Sequence, residues 1–135
     1  MVQSSVEYQG QLHCNITHGP SGVSISTDAP KDNMGKGESF SPTDLVGAAL
    51  ASCIITTMAI VARRHNLELS GVTATVQKEM IADPQRRIGR LPVEIRIPMQ
   101  LDPEMKKRLE NAAHACPVKK SLHPLIEAPI IFHWA

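Results

Sequence analysis

The chain has 135 residues, in which 14 lysines and arginines nearly balance 13 aspartates and glutamates. That length suits one domain with its own core, and the charge balance argues against nucleic acid or an anionic membrane as the main partner. Aromatic residues make up 3% of the chain, too few for base-stacking platforms.

The N-terminal strands are expected within residues 6–27. Tyr8, Leu12, Cys14 and Ile16 alternate with Gln9, Gln11, His13 and Asn15, the period of a half-buried strand. Gly19-Pro20-Ser21-Gly22 reads as a turn, and Val23-Ser24-Ile25-Ser26-Thr27 as the returning strand. Residues 28–40 form the longest irregular stretch, the kind of segment that often contributes to a site.

Ser41-Pro42-Thr43-Asp44 opens a central helix expected over residues 42–64. Ser41 can cap, Pro42 suits the first helical position, and Asp44 favours the positive end of the helix dipole. Residues 45–62 carry no charge, which raises the possibility of a membrane span. Gly47, Ser52, Cys53, Thr56 and Thr57, with no aromatic belt on either flank, favour a fully buried helix of a soluble protein instead.

Alternation returns over residues 71–82 and 91–99, two further strands separated by Asp83-Pro84 and Gly89. Asp102-Pro103-Glu104 starts a second helix over residues 103–115. Cys116 precedes Pro117 and is therefore biased out of the helical region, which makes it the expected N-cap of a short helix over residues 117–122. Residues 130–134 form the last strand. This order predicts a single α+β domain. A helix apolar on every side cannot be satisfied by one sheet face, so a homodimer burying the long helix is expected.

Two cysteines stand out chemically. A reactive thiol needs help to ionise below its ordinary pKa of about 8.5. Cys116 sits at a helix start with Lys119 and Lys120 just beyond, which would give such help. Cys53 lies mid-helix with Ala49, Thr56, Thr57 and Ile60, where local features alone do not separate a core cysteine from a reactive one. Cys14 reads as core. Three cysteines make a poor disulfide framework and fit a reducing compartment. Met1-Val2-Gln3-Ser4-Ser5-Val6-Glu7 shows no secretory pattern, so a cytoplasmic location is expected. The six histidines show no zinc-site spacing, and no phosphate-cradling loop occurs, so neither a metal nor a resident cofactor is expected.

The segments Ser41-Pro42-Thr43-Asp44-Leu45-Val46-Gly47-Ala48-Ala49-Leu50-Ala51-Ser52-Cys53 and Ala115-Cys116-Pro117-Val118-Lys119-Lys120-Ser121-Leu122 together resemble the OsmC/Ohr family, the osmotically inducible protein C and organic hydroperoxide resistance group. The resemblance runs over nearly the whole chain. It implies an intertwined α+β homodimer with antiparallel sheets packed around a long central helix and a second helix. It also implies a thiol peroxidase acting on organic hydroperoxides in oxidative-stress defence. Cys53 would be the peroxidatic nucleophile and Cys116 the resolving thiol, with a Cys53–Cys116 disulfide as the oxidised form and an external dithiol or lipoyl-type reductant.

Two departures stand beside that resemblance. Thr43 occupies the position where well-known members carry a glutamate, with Asp44 one residue later as the candidate acidic partner. No arginine precedes Arg63, which leaves Lys31, Lys36 or an arginine of the partner subunit's 86–90 stretch as candidate cations. These departures keep a second reading open: a ligand-binding or redox-sensing dimer of the same family, without efficient turnover. A third is a structural dimer with inert cysteines.

Overall fold

The structure, a computed structural model, describes residues 1–135. Its contacts gather into two compact units, Met1–Val46 and Gly47–Ala135.

The first unit holds three antiparallel strands, β1 (Ser4–Tyr8), β2 (His13–His18) and β3 (Ser24–Asp28), in the order β1-β2-β3. The single strand expected across residues 8–16 is in fact a hairpin. Gly10, Gln11 and Leu12 all take positive φ (87°, 55° and 61°), so the chain reverses and Tyr8 pairs with Cys14. Apolar alternation persists through the turn, which is why the pattern alone hides it. The register aligns Val6, Ile16 and Ile25 in one cross-strand row. Cys14, read as core, is half-buried.

Asp28 fastens the loop that follows. It is 5% exposed. One carboxylate oxygen lies 2.5 Å from His13 Nδ1 on β2, and the other accepts the Glu38 N–H at 3.0 Å. Its own N–H donates to the Phe40 carbonyl at 3.0 Å. A short 3-10 turn, Lys31–Asn33, sits inside this loop. Gly35 is obligatory there, since a Cβ would fall 1.6 Å from the Ala29 carbonyl oxygen.

The long helix α1 (Pro42–Arg64) begins with a reciprocal cap. Ser41 Oγ accepts the Asp44 N–H at 3.0 Å, and Asp44 Oδ2 accepts the Ser41 N–H at 2.9 Å.

The second unit contains the rest of α1, then β4 (Thr73–Val76), β5 (Glu79–Ile81), β6 (Arg87–Arg90), β7 (Val93–Ile97), α2 (Pro103–His114), α3 (Pro117–Ser121) and β8 (Ile130–Trp134). One sheet has the order β4-β7-β8, and β5 pairs with β6 in a separate hairpin. The strand expected over residues 71–82 is therefore two strands in two sheets. Burial alternates without interruption from residue 71 to 80, so the period carries no sign of the change of partner. The sheets are not wholly antiparallel as the resemblance implied. β8 runs parallel to β7, because α2 and α3 form the crossover between them.

The core of this unit is apolar and fully enclosed. Val93, Ile95 and Ile97 of β7 are buried, alternating with Glu94 and Arg96 on the other face. Leu109, Ala112 and Ala113 of α2 are buried as well, below a cap in which Asp102 accepts the Met105 N–H at 2.7 Å. Along α1, Gly47, Leu50, Ala51, Ile54, Met58 and Ala62 form the buried stripe, with Gly47 close to Leu91 and Val76.

The opposite face of α1 is open. Ala49, Ser52, Thr56 and Ile60 are exposed, Ile60 by 50%. α1 is long and apolar enough to cross a membrane, and 33% of its apolar window is buried within the chain.

The His13–Asp28 contact sets an acid limit on stability. Its hydrogen bond to His13, with further help from the Glu38 N–H and Lys36, holds Asp28 below its ordinary pKa against the opposing effect of burial. The folded state therefore keeps a carboxylate that the unfolded chain would protonate near pH ~3.9. Its stabilisation is present above that value and is lost as pH falls through the lower folded value. Urea midpoints measured from pH about 5 to about 3 should fall more steeply for the native chain than for Asp28→Asn.

Candidate active site

Cys53 projects from α1 beside the buried stripe and is half-buried. Its Sγ lies 3.9 Å from Thr57 Oγ1, one helical turn on. Cys116 has no exposed surface. It sits between α2 and α3, with φ −62° and ψ 139°, as the N-cap of α3 with Pro117 at the first helical position. Both cysteines are unbonded. The fold makes Cys53 a neighbour of the Cys116 thiol, near enough to help raise its pKa, although the two are far apart in sequence.

Main-chain groups, not lysine heads, touch the Cys116 sulfur. The Lys119 N–H donates to Sγ at 3.3 Å, whereas Lys119 Nζ donates away to the Ala128 carbonyl at 2.7 Å. The help anticipated from the helix start is therefore real but outweighed. Burial pushes the Cys116 thiol above its ordinary pKa, and the neighbouring Cys53 thiol adds to the rise. The Lys119 and Val118 N–H groups pull the other way. Cys116 is held as a neutral thiol beside Cys53, an arrangement in which two negative sulfurs together are disfavoured.

Several of the remaining candidates make contacts of their own. Asp44 serves the α1 cap described above, and Thr43 Oγ1 lies 3.1 Å from Ser41 Oγ. Lys36 donates to Gln11 Oε1 at 2.6 Å. Arg90 binds both Glu79 and Glu127, at 2.9 and 3.0 Å. No cluster of three or more histidine, cysteine or acidic side chains is arranged to hold a metal ion. The Cys-Pro pair marked Cys116 as a helix N-cap in the sequence, but gave no sign that burial would outweigh the N–H groups of that cap.

A family model described as OsmC-like protein matches residues 35–128. Among solved structures, a Psychrobacter arcticus 273-4 protein named for osmotic stress induction and a detoxification response is 46% identical. The alignment covers 98% of this chain and 96% of that one, with a TM-score of 0.93. An organic hydroperoxide resistance protein OsmC from Legionella pneumophila shares the fold at 17% identity, TM-score 0.79, covering 98% and 96% of the two chains. The organic hydroperoxide resistance protein OhrB of Bacillus subtilis does so at 21% identity, TM-score 0.70, covering 98% and 97%. No curated protein sequence matches the chain. With the thiol pair in place and the family model spanning both cysteine segments, the chain belongs to the OsmC-like protein family.

Proposed function

We propose that the protein is a thiol peroxidase that reduces organic hydroperoxides in oxidative-stress defence, working in a reducing cytoplasm. The observation that carries this reading is the meeting of Cys53 and Cys116 as free thiols. The names of the Legionella and Bacillus structures support the substrate class.

The chemistry follows from the asymmetry of the pair. The Cys53 thiolate attacks the terminal oxygen of the hydroperoxide and the O–O bond breaks. The alkoxide leaves and takes a proton to become the alcohol, and Cys53 becomes a sulfenic acid. Cys116 no longer faces a thiolate, so one contribution to its raised pKa is removed while the Lys119 and Val118 N–H groups remain. Its sulfur attacks the Cys53 sulfur, the sulfenic oxygen departs as water with the Cys116 proton, and a disulfide forms. An external dithiol, of lipoyl type in the family resemblance, then reduces that disulfide and is itself oxidised. No resident cofactor is needed in this cycle.

The open face of α1 supports a homodimer. Ala49, Ser52, Thr56 and Ile60 are small or apolar, and a second copy laid on them would shelter the approach to Cys53. An apolar approach favours organic hydroperoxides over hydrogen peroxide. Light scattering at micromolar concentration should give twice the chain mass, and a monomeric mass would contradict the dimer.

Steady-state turnover of cumene hydroperoxide with a dithiol reductant tests the roles. Cys53→Ser should abolish turnover, whereas Cys116→Ser should allow one round of oxidation and then stop. Asp44→Asn retains a capping oxygen but loses the charge. If Asp44 is the acidic partner, that variant loses rate while its melting temperature stays near the native value. Reversible Cys53–Cys116 linkage without turnover would instead identify the redox-sensing or ligand-binding dimer, the reading that Thr43 and the missing N-terminal arginine favour.

A further inference from the structure

The hairpin β5–β6 and the segment around residues 123–127 enclose a cleft of about 300 Å³, at the lower end of small-molecule site volumes. Four charged groups line it, and three of them satisfy one another. Arg90 Nη1 bonds Glu79 and Arg90 Nε bonds Glu127. The fourth is Arg87. Its Nη1 donates to the carbonyl of its own neighbour Ile88 at 3.2 Å, and its Nε is buried without any hydrogen-bond partner. Every carboxylate in the cleft is thus already claimed by Arg90, and the Arg87 guanidinium has none. Buried polar groups in folded proteins are nearly always paired, so an unmatched guanidinium in a cleft marks a place for an acceptor that the chain itself does not supply.

The walls narrow the choice of acceptor. Ile81, paired across the hairpin with Arg87, and Leu125, 62% exposed, offer apolar surface on the same cleft. A dianion would meet repulsion from Glu79 and Glu127 with one free cation to offset it. A monoanion matches the single unpaired charge, and a planar carboxylate matches the fork of a guanidinium. We propose that this cleft binds a small organic carboxylate, with Arg87 gripping the carboxylate and Ile81 and Leu125 flanking its apolar tail.

Titration of the full chain with sodium octanoate, followed by amide-proton chemical shifts and calorimetry, tests the site. Saturable one-site binding is expected, with shifts confined to residues 79–90 and 123–127. Arg87→Gln should weaken it by about tenfold or more, the scale of a lost charge-assisted pair. Leu125→Asp changes an exposed position, keeps the fold and places a repelling charge at the cleft, so it should weaken binding similarly. Octanol, with the tail but no charge, and inorganic phosphate, with charge but no tail, should bind much more weakly. The proposal is overturned by any of three results: no saturable octanoate binding, unchanged affinity in a folded Arg87→Gln or Leu125→Asp chain, or phosphate binding as well as octanoate.

Discussion

The second unit depends on one buried sulfur that serves two purposes. Cys116 Sγ accepts the Lys119 N–H and so closes the first turn of α3, while the neighbouring Cys53 thiol helps raise the pKa of the same group. Pro117 makes this possible by biasing Cys116 to extended geometry and by lacking an N–H that would otherwise need a partner. Enclosure then decides the protonation state. Removing a sulfur from water disfavours its charged form more strongly than two backbone N–H groups favour it, so Cys116 stays neutral. A neutral, buried second thiol thus stands beside a half-buried first one, an asymmetry that burial creates.

That asymmetry also explains why the lysines after Cys116 matter less than their charge suggests. Lys119 turns its ammonium to the Ala128 carbonyl, just ahead of β8, and so ties α3 to the crossover that lets β8 pair in parallel with β7. The polar environment of the pair is built from dipoles of the main chain and the Thr57 hydroxyl, both fixed by helix geometry. Chemistry that needs one thiolate at a time is served by such an environment.

Much of this was legible in the sequence where a local rule decides the structure. Ser41-Pro42-Thr43-Asp44, Asp102-Pro103 and Cys116-Pro117 each start a helix, because proline fixes φ and the residue before it supplies a cap. Val93, Ile95 and Ile97 read as one buried face because side chains alternate along a strand. What failed were decisions made at a distance. The turn at Gly10, Gln11 and Leu12 keeps the apolar period of its flanking strands, the switch from β4 to β5 leaves alternation intact, and the parallel pairing of β8 depends on the whole α2–α3 crossover. The site divided the same way. That Cys116 caps a helix was local and readable, but the outcome for its pKa depended on burial by residues remote in sequence. The resemblance, not periodicity, joined Cys53 to Cys116.

The most direct test of the account is stoichiometric oxidation of the reduced protein by cumene hydroperoxide under stopped flow, with the products mapped by mass after digestion. The account predicts loss of two thiols per chain, release of one alcohol per chain, and a Cys53–Cys116 disulfide formed far faster than a free cysteine reacts. Oxidation no faster than free cysteine, or a disulfide that uses Cys14 in place of either thiol, would contradict it.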